Sequence, residues 1–361
     1  MAANGDDVVA AHTALASRVD LIEQRRLLYS MVHELVSPSG SPPLEDPDVL
    51  DSPVARALLG ARMAGSRAFV PDEDLAGLSS LSEDWTVQAV GTSIAVAVTP
   101  SAVRALHAAL ARVAEEMSGA GGSGIWPSIL TARDGDRLRA SIGLLARGAA
   151  LAYSAEPALV QDLLPHVALL AIVEKGSRLG SASVREFPGL VLVPEPASAL
   201  EAAEALVHEA AHQKIFDFAV TYDFFPAHAA ACPPCVPSWR PGDARWPLEQ
   251  TLAAWHAYHC LAALAGGLGH DGLDDAGSGS LLTVAERRAE ILGNWLYGHR
   301  RYLGADARLL LAGLGGWAPD GVAEPVVPIR IPVGPVIGRR RHGTRQLVGI
   351  GGRSPRIYWT S

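Results

Sequence analysis

The stretch Leu206-Val-His208-Glu209-Ala-Ala-His212-Gln-Lys214 decides how the rest of the chain is read. It is an H-E-x-x-H pattern, and its spacing predicts a helix. Histidines four residues apart project from one face of a 3.6-residue turn, so both imidazoles can reach one cation. Glu209 lies about 100° round the helix from His208, where its carboxylate can act as a base or orient a ligand. A start signal stands at the right distance. Ser198 and Glu201 form an S-x-x-E capping box after Pro194 and Pro196, and alanine and leucine dominate residues 199–207.

The flanking segments fill in the frame. Upstream, Val167 to Val173 and Gly189 to Val193 are apolar runs of strand length, which places a small sheet directly before the motif helix. Downstream, residues 223–247 hold six prolines, Cys232, Cys235 and the string Pro237-Ser-Trp-Arg-Pro. A loop this long in a compact domain is more often functional than idle. An apolar helix is expected over 248–265, a loop over 269–279 and a helix over 281–303. Nearer the N-terminus, helix is expected over 7–35, ended by the Ser37-Pro-Ser-Gly-Ser-Pro-Pro loop, and again around 54–63. Residues 85–98 suggest one or two strands, 101–117 a helix, and 118–124 a flexible break. Residues 130–145 are ambiguous, and 157–163 read as a short helix with proline in its first turn.

The pattern predicts an α+β fold, predominantly helical, with a central HExxH helix packed against a second ligand-bearing helix and a small β-sheet. Three regions are expected. Residues 1–164 form a helical or mixed part suited to substrate recognition, 165–320 the metal-binding catalytic part, and 321–361 an extended tail whose valines and isoleucines cover an edge or a cleft.

Composition narrows the function classes. With 361 residues and 49% hydrophobic content the chain can build a sizeable core. A net charge of −8 with no long basic block, only a short run at Arg339-Arg340-Arg341-His342, argues against nucleic acid as a partner. Three cysteines make no disulfide framework and fit a reducing cytoplasm. The acidic N-terminus and the short, interrupted apolar runs predict no export signal and no membrane span.

A bare five-residue motif also occurs in helices whose two histidines have no chemical role, so the third ligand matters. The metzincin continuation is excluded, because Ile215 and Phe218 stand where that class needs glycine and histidine. A zinc peptidase would use Glu209 to activate bound water and take Glu249, or His256, as third ligand. His256 lies two turns beyond Glu249 on nearly the same helix face, and His259 is a further candidate. His228 reads as a solvated loop residue. Cys232-Pro-Pro-Cys235 has knuckle spacing but no second pair, and reads as two loop thiols. Arg240 and Arg245 can hold a carboxylate with their planar guanidinium groups, and Trp239 and Trp246 beside them point to partial burial. Glu286, Arg287, Arg288 and Glu290 read as the wet face of a helix.

Several strings in series resemble a known family. Ser181-Ala-Ser183 with Phe187-Pro-Gly-Leu-Val-Leu-Val, the Glu204 to His212 stretch, Ser238-Trp-Arg240-Pro with Arg245, and His256-Ala-Tyr258 are similar to the H-E-x-x-H peptide-modifying proteins of bacterial ribosomal-peptide gene clusters. The resemblance spans about 167–264, and the Cys232 to Cys235 loop departs from it, where an aromatic-rich lead is expected. It implies an Fe(II)/2-oxoglutarate-dependent β-hydroxylase acting on a precursor peptide. His208, His212 and His256 would then bind iron, Arg240 or Arg245 the distal carboxylate of 2-oxoglutarate, and Glu209 would orient a ligand or water. The rivals are the zinc peptidase and a catalytically inactive peptide-binding partner.

Overall fold

A computed structural model describes residues 4–37, 43–63, 86–89, 92–99, 103, 106, 128–175, 180–240, 244–274, 276–317 and 358–360. Four helices open the chain: α1 (Gly5–Leu15), α2 (Arg18–Val36), α3 (Pro47–Asp51) and α4 (Pro53–Met63). The helical spacing over 7–35 is thus split in two. Ser17 accepts from the Asp20 N–H and starts α2 afresh, as a serine in extended conformation does at a helix N-terminus.

Next come β1 (Thr86–Ala89) and β2 (Thr92–Val96), then α5 (Gly135–Ala155), which resolves the ambiguous stretch as helix, and α6 (Pro157–Leu163). They are followed by β3 (Leu169–Val173), β4 (Ala182–Val184), β5 (Leu190–Pro194), the motif helix α7 (Ala199–Thr221), and α8 (Leu248–Leu273). The described chain closes with α9 (Ala285–Gly298), α10 (Ala305–Gly315) and β6 (Tyr358–Thr360). The expected helix over 101–117 lies outside the described residues except for Val103 and Leu106. So do the 118–124 break, most of the proline loop after Ser37, and the tail apart from β6. The 248–265 helix runs longer than its apolar pattern, to Leu273, but Gly269 interrupts it with φ 68 and ψ 176, at the point where the spacing predicts a loop.

The strands form one mixed sheet in the order β1-β2-β3-β5-β4-β6. Its centre is parallel, with β2 beside β3 and β3 beside β5, in a register running from Leu169 opposite Leu190 to Val173 opposite Pro194. Both central strands are buried along almost their whole length, which explains why they read as unbroken apolar runs. The protein is therefore a mainly helical α+β fold with a small sheet leading into the motif helix.

That helix is the centre of the molecule. Every residue from Leu206 to Phe218 is buried, and α5, α8, α2 and the sheet pack around it. Gly148 makes the α5 crossing possible, since a Cβ there would stand 2.6 Å from the Ala202 Cβ. Gly189, at φ 96, turns the chain into β5 and donates its N–H to the Gln213 Oε1 at 2.6 Å, tying sheet to helix. The apolar core is continuous from Val8 and Leu21 through Leu138 to Val207 and Leu261, so α1 and α2 share it with the motif helix. No helix among the described residues is long and apolar enough to cross a membrane.

Candidate metal centre

Ser198 starts α7 as its sequence requires, accepting from the Glu201 N–H. The reciprocal half of the capping box differs. The Glu201 carboxylate accepts from the Ala197 N–H at 2.7 Å, one residue earlier than the pattern predicts. From this start, helical geometry brings His208 and His212 together, Nε2 to Nε2 at 3.1 Å, with rings edge-on at 4.6 Å. Burial lowers His208 to about 3, with Arg288 and then Arg240 adding to the effect, and burial lowers His212 far below the histidine range. Both rings are therefore neutral at pH 7 and carry the lone pairs that a cation needs.

The pair fits a metal ion. Two nitrogens each about 2.1 Å from one cation and at right angles to each other lie about 3.0 Å apart. Beside them, Glu209 accepts from the Ser183 Oγ at 2.7 Å through Oε2, while Oε1 stands 4.0 Å from the His208 Nε2 without a hydrogen-bond partner among the described residues. Burial raises Glu209 to about 7, against the hydrogen bonds from Ser183 and Ser181. Such a carboxyl holds or releases a proton near neutrality.

The third ligand does not join them. Among the described residues no group of three His, Cys, Asp or Glu side chains gathers in a metal-binding arrangement. His256 is fully buried, but its Nε2 lies 2.6 Å from the His12 Nε2, a hydrogen-bond distance too short for two nitrogens sharing one ion. Glu249 is engaged by Arg185 at 2.8 Å. His259 packs edge-on against Trp255 at 4.8 Å. Cys232 and Cys235 are free thiols, which burial pushes up to about 11, and His228 is exposed, its Nε2 3.0 Å from the Arg301 carbonyl.

Of the two loop arginines, Arg240 comes to the site and Arg245 is exposed to solvent. The guanidinium of Arg240 stacks on Trp246 at 5.6 Å, and Trp239 and Trp246 meet edge-on, Trp239 partly buried and Trp246 buried in the core. The second guanidinium near His208 is one that the sequence pattern assigns to solvent. Arg288 on α9 turns inward, lies 5.1 Å over Trp239 and 5.4 Å over Tyr258, and donates to the Tyr258 hydroxyl at 2.9 Å. It forms no ion pair among the described residues, while Glu286, Arg287 and Glu290 do lie on the exposed face. Helical periodicity alone could not separate Arg288 from them. The aromatic pair Trp239 and Tyr258, which a guanidinium favours, is the one signal that could have done so.

A cleft of about 640 Å³ reaches His208. It is bounded by the end of β5, the first turns of α7 and the 276–281 loop. Glu204 pins that loop, accepting from the Ser280 hydroxyl and, at 2.9 Å, from the Leu281 N–H.

Below the pair, α7 carries a second polar cluster that no single-motif reading anticipates. Lys214, 0% exposed, donates to the Asp162 Oδ1 at 2.5 Å, and Asp162 Oδ2 stands 2.6 Å from the His12 Nδ1, so the chain continues through His12 to His256. Asp217 accepts from Arg25 and lies 2.6 Å from the His166 Nδ1, and Arg25 continues to Asp51 at 2.6 Å. Comparison with models of known protein families and with curated proteins finds no match for this sequence.

Proposed function

We propose that the protein is an Fe(II)/2-oxoglutarate-dependent hydroxylase of a precursor peptide. The observation that carries this reading is the combination at His208: a buried, neutral His208–His212 pair fit for one cation, with Arg240 and the unpaired Arg288 acting on the same ring. A divalent ion and two guanidinium groups together select a dianionic cosubstrate, and planar guanidinium groups suit its distal carboxylate.

His208 and His212 would hold the iron. His256, the third ligand implied by the resemblance, joins them only by exchanging its bond to His12 for the ion. Iron with 2-oxoglutarate and dioxygen supplies the oxidising power to hydroxylate an unactivated C–H bond. The protein's own residues do the rest. Arg288, braced by Tyr258 and Trp239, and Arg240, stacked on Trp246, orient the carboxylate and offset its charge. Ser183 fixes Glu209, whose free Oε1 holds a proton or water beside His208. The cleft admits the peptide to the same histidine.

The test needs no peptide. Fe(II) and then 2-oxoglutarate are added without oxygen to the metal-free protein, and the visible charge-transfer band of a chelated complex is sought. The band is expected in the wild type and lost in His208→Ala and His212→Ala; its loss in His256→Ala would identify the third ligand. No band, with tight zinc binding, rejects the hydroxylase.

One observation favours a second reading. Glu209, raised to about 7 with a free oxygen 4.0 Å from the His208 Nε2, has the properties of a peptidase base. Glu209→Gln should abolish zinc-dependent peptide cleavage but leave substantial 2-oxoglutarate turnover.

A further inference from the structure

The 640 Å³ cleft has a charge pattern that the proposed reaction does not by itself require. Glu201 and Glu204 are the acidic side chains lining it, and no Lys or Arg among the described residues does so. Arg240 and Arg288, which act on the same histidine, belong to other walls. His208 therefore stands where an acidic cleft meets a cationic cluster. His208 is 4% exposed, belongs to the cleft lining, and keeps an Nδ1 that has no hydrogen-bond partner among the described residues.

The two acids are not equivalent. Both Glu204 oxygens are occupied by the 276–281 loop. Glu201 is exposed and, among the described residues, is engaged through Oε2 by the Ala197 N–H, so its charge stays available to whatever enters. Glu201, Glu204 and His208 follow one another at i, i+3 and i+7, a single stripe along α7. Seven residues of helix rise about 10.5 Å, a length that an extended peptide covers in about three residues.

We infer that the cleft is the binding channel for an extended peptide bearing a lysine or arginine about three residues from the one presented at His208, with Glu201 as the residue that selects the cation. This rests on the proposed peptide substrate, though not on the chemistry carried out there. Small residues on the loop side, Gly277 and Gly279, leave room for a backbone, and among the described residues the charged side chains of the lining are Glu201 and Glu204, which favour a cation over an acidic segment.

The experiment measures binding by fluorescence anisotropy on the full chain. The probes are labelled Gly/Ser nonapeptides with a central leucine and either lysine or glutamate three residues from it on either side. Lysine peptides should bind about fivefold tighter than their glutamate counterparts at low salt, and the ratio should shrink at 0.5 M NaCl. Glu201→Gln, which keeps the acceptor for Ala197, should bring the ratio below about twofold. Ala205→Trp, which fills the cleft, should remove binding while zinc uptake at the histidine pair shows that the variant is folded. Equal affinities, an unchanged ratio in Glu201→Gln, undiminished binding in Ala205→Trp, or no binding of either peptide would each overturn the assignment. A lysine preference without the iron–2-oxoglutarate band would reject the hydroxylase and leave the channel standing. The band without the preference would do the reverse.

Discussion

The two halves of the buried 206–218 stretch of α7 treat their polar side chains differently. In the C-terminal half, Gln213, Lys214 and Asp217 all have partners: Gln213 the Gly189 N–H and the Leu190 carbonyl, Lys214 Asp162, and Asp217 Arg25 and His166. In the N-terminal half, the His208 Nδ1 and the Glu209 Oε1 have none among the described residues, and the His208 Nε2 meets another imidazole at 3.1 Å. Leaving a buried polar group unmet costs about 1–3 kcal/mol. One half of the helix therefore stabilises the fold, and the other carries that cost where a ligand would relieve it. The buried stretch of this helix carries six polar residues, which it can do only when most are paired.

That contrast can be broken most directly at Asp217. Asp217→Ala leaves His166 without its carboxylate and Arg25 with Asp51 alone, and should cost about 3–5 kcal/mol in urea denaturation, while metal uptake by the surviving folded protein stays intact. Equal loss of metal and stability would mean that the two halves are not separable. The same residue sets a pH dependence. Burial alone would raise Asp217, but Arg25, His166 and Arg56 hold it at about 2. Its contribution is therefore present above the ordinary aspartate value of 3.8 and lost as pH falls through about 2. Denaturation midpoints between pH 5 and pH 2 should fall more steeply in the wild type than in Asp217→Asn.

Smaller changes sharpen the other half. Arg288→Met should weaken 2-oxoglutarate binding by about 10–100-fold, the worth of a charge-assisted hydrogen bond, and leave iron affinity unchanged. A titration of the charge-transfer band reads both, and an unchanged cosubstrate affinity would return Arg288 to a purely structural role with Tyr258. Ser183→Ala removes the hydroxyl that holds Glu209 and should cost about 1–2 kcal/mol of stability at neutral pH. At the start of the helix, Ser198→Ala should cost about 1 kcal/mol by loss of the cap, with no effect on metal or cosubstrate. Loss of metal in that variant would show that the motif depends on the first turn more than its packing suggests.

Much of this was legible from residues near one another in the chain. The i, i+4 spacing of His208 and His212, the Ser198 cap, the two apolar strands before the helix and the Gly269 break are local features, and backbone geometry turns each into structure without help from elsewhere. The same holds for the α+β class and for the partial burial of Trp239, while Trp246 goes further and is buried in the core. The partners were another matter. His12 and Asp162 reach His256 and Lys214 from sequence separations of 244 and 52 residues, and periodicity over a short window contains no trace of such pairings. Arg245 and Arg288 show the same limit in miniature. Both are arginines in polar surroundings, and only the packing of α9 against α8 placed Arg288 over Trp239 and Tyr258 and left Arg245 in solvent. The sequence by itself determined the central helix and the pair of histidines on it. Which buried charges were neutralised, which polar groups were left unmet and which guanidinium came near His208 was decided by tertiary structure, because those energies depend on distances and desolvation that arise only when remote segments pack together.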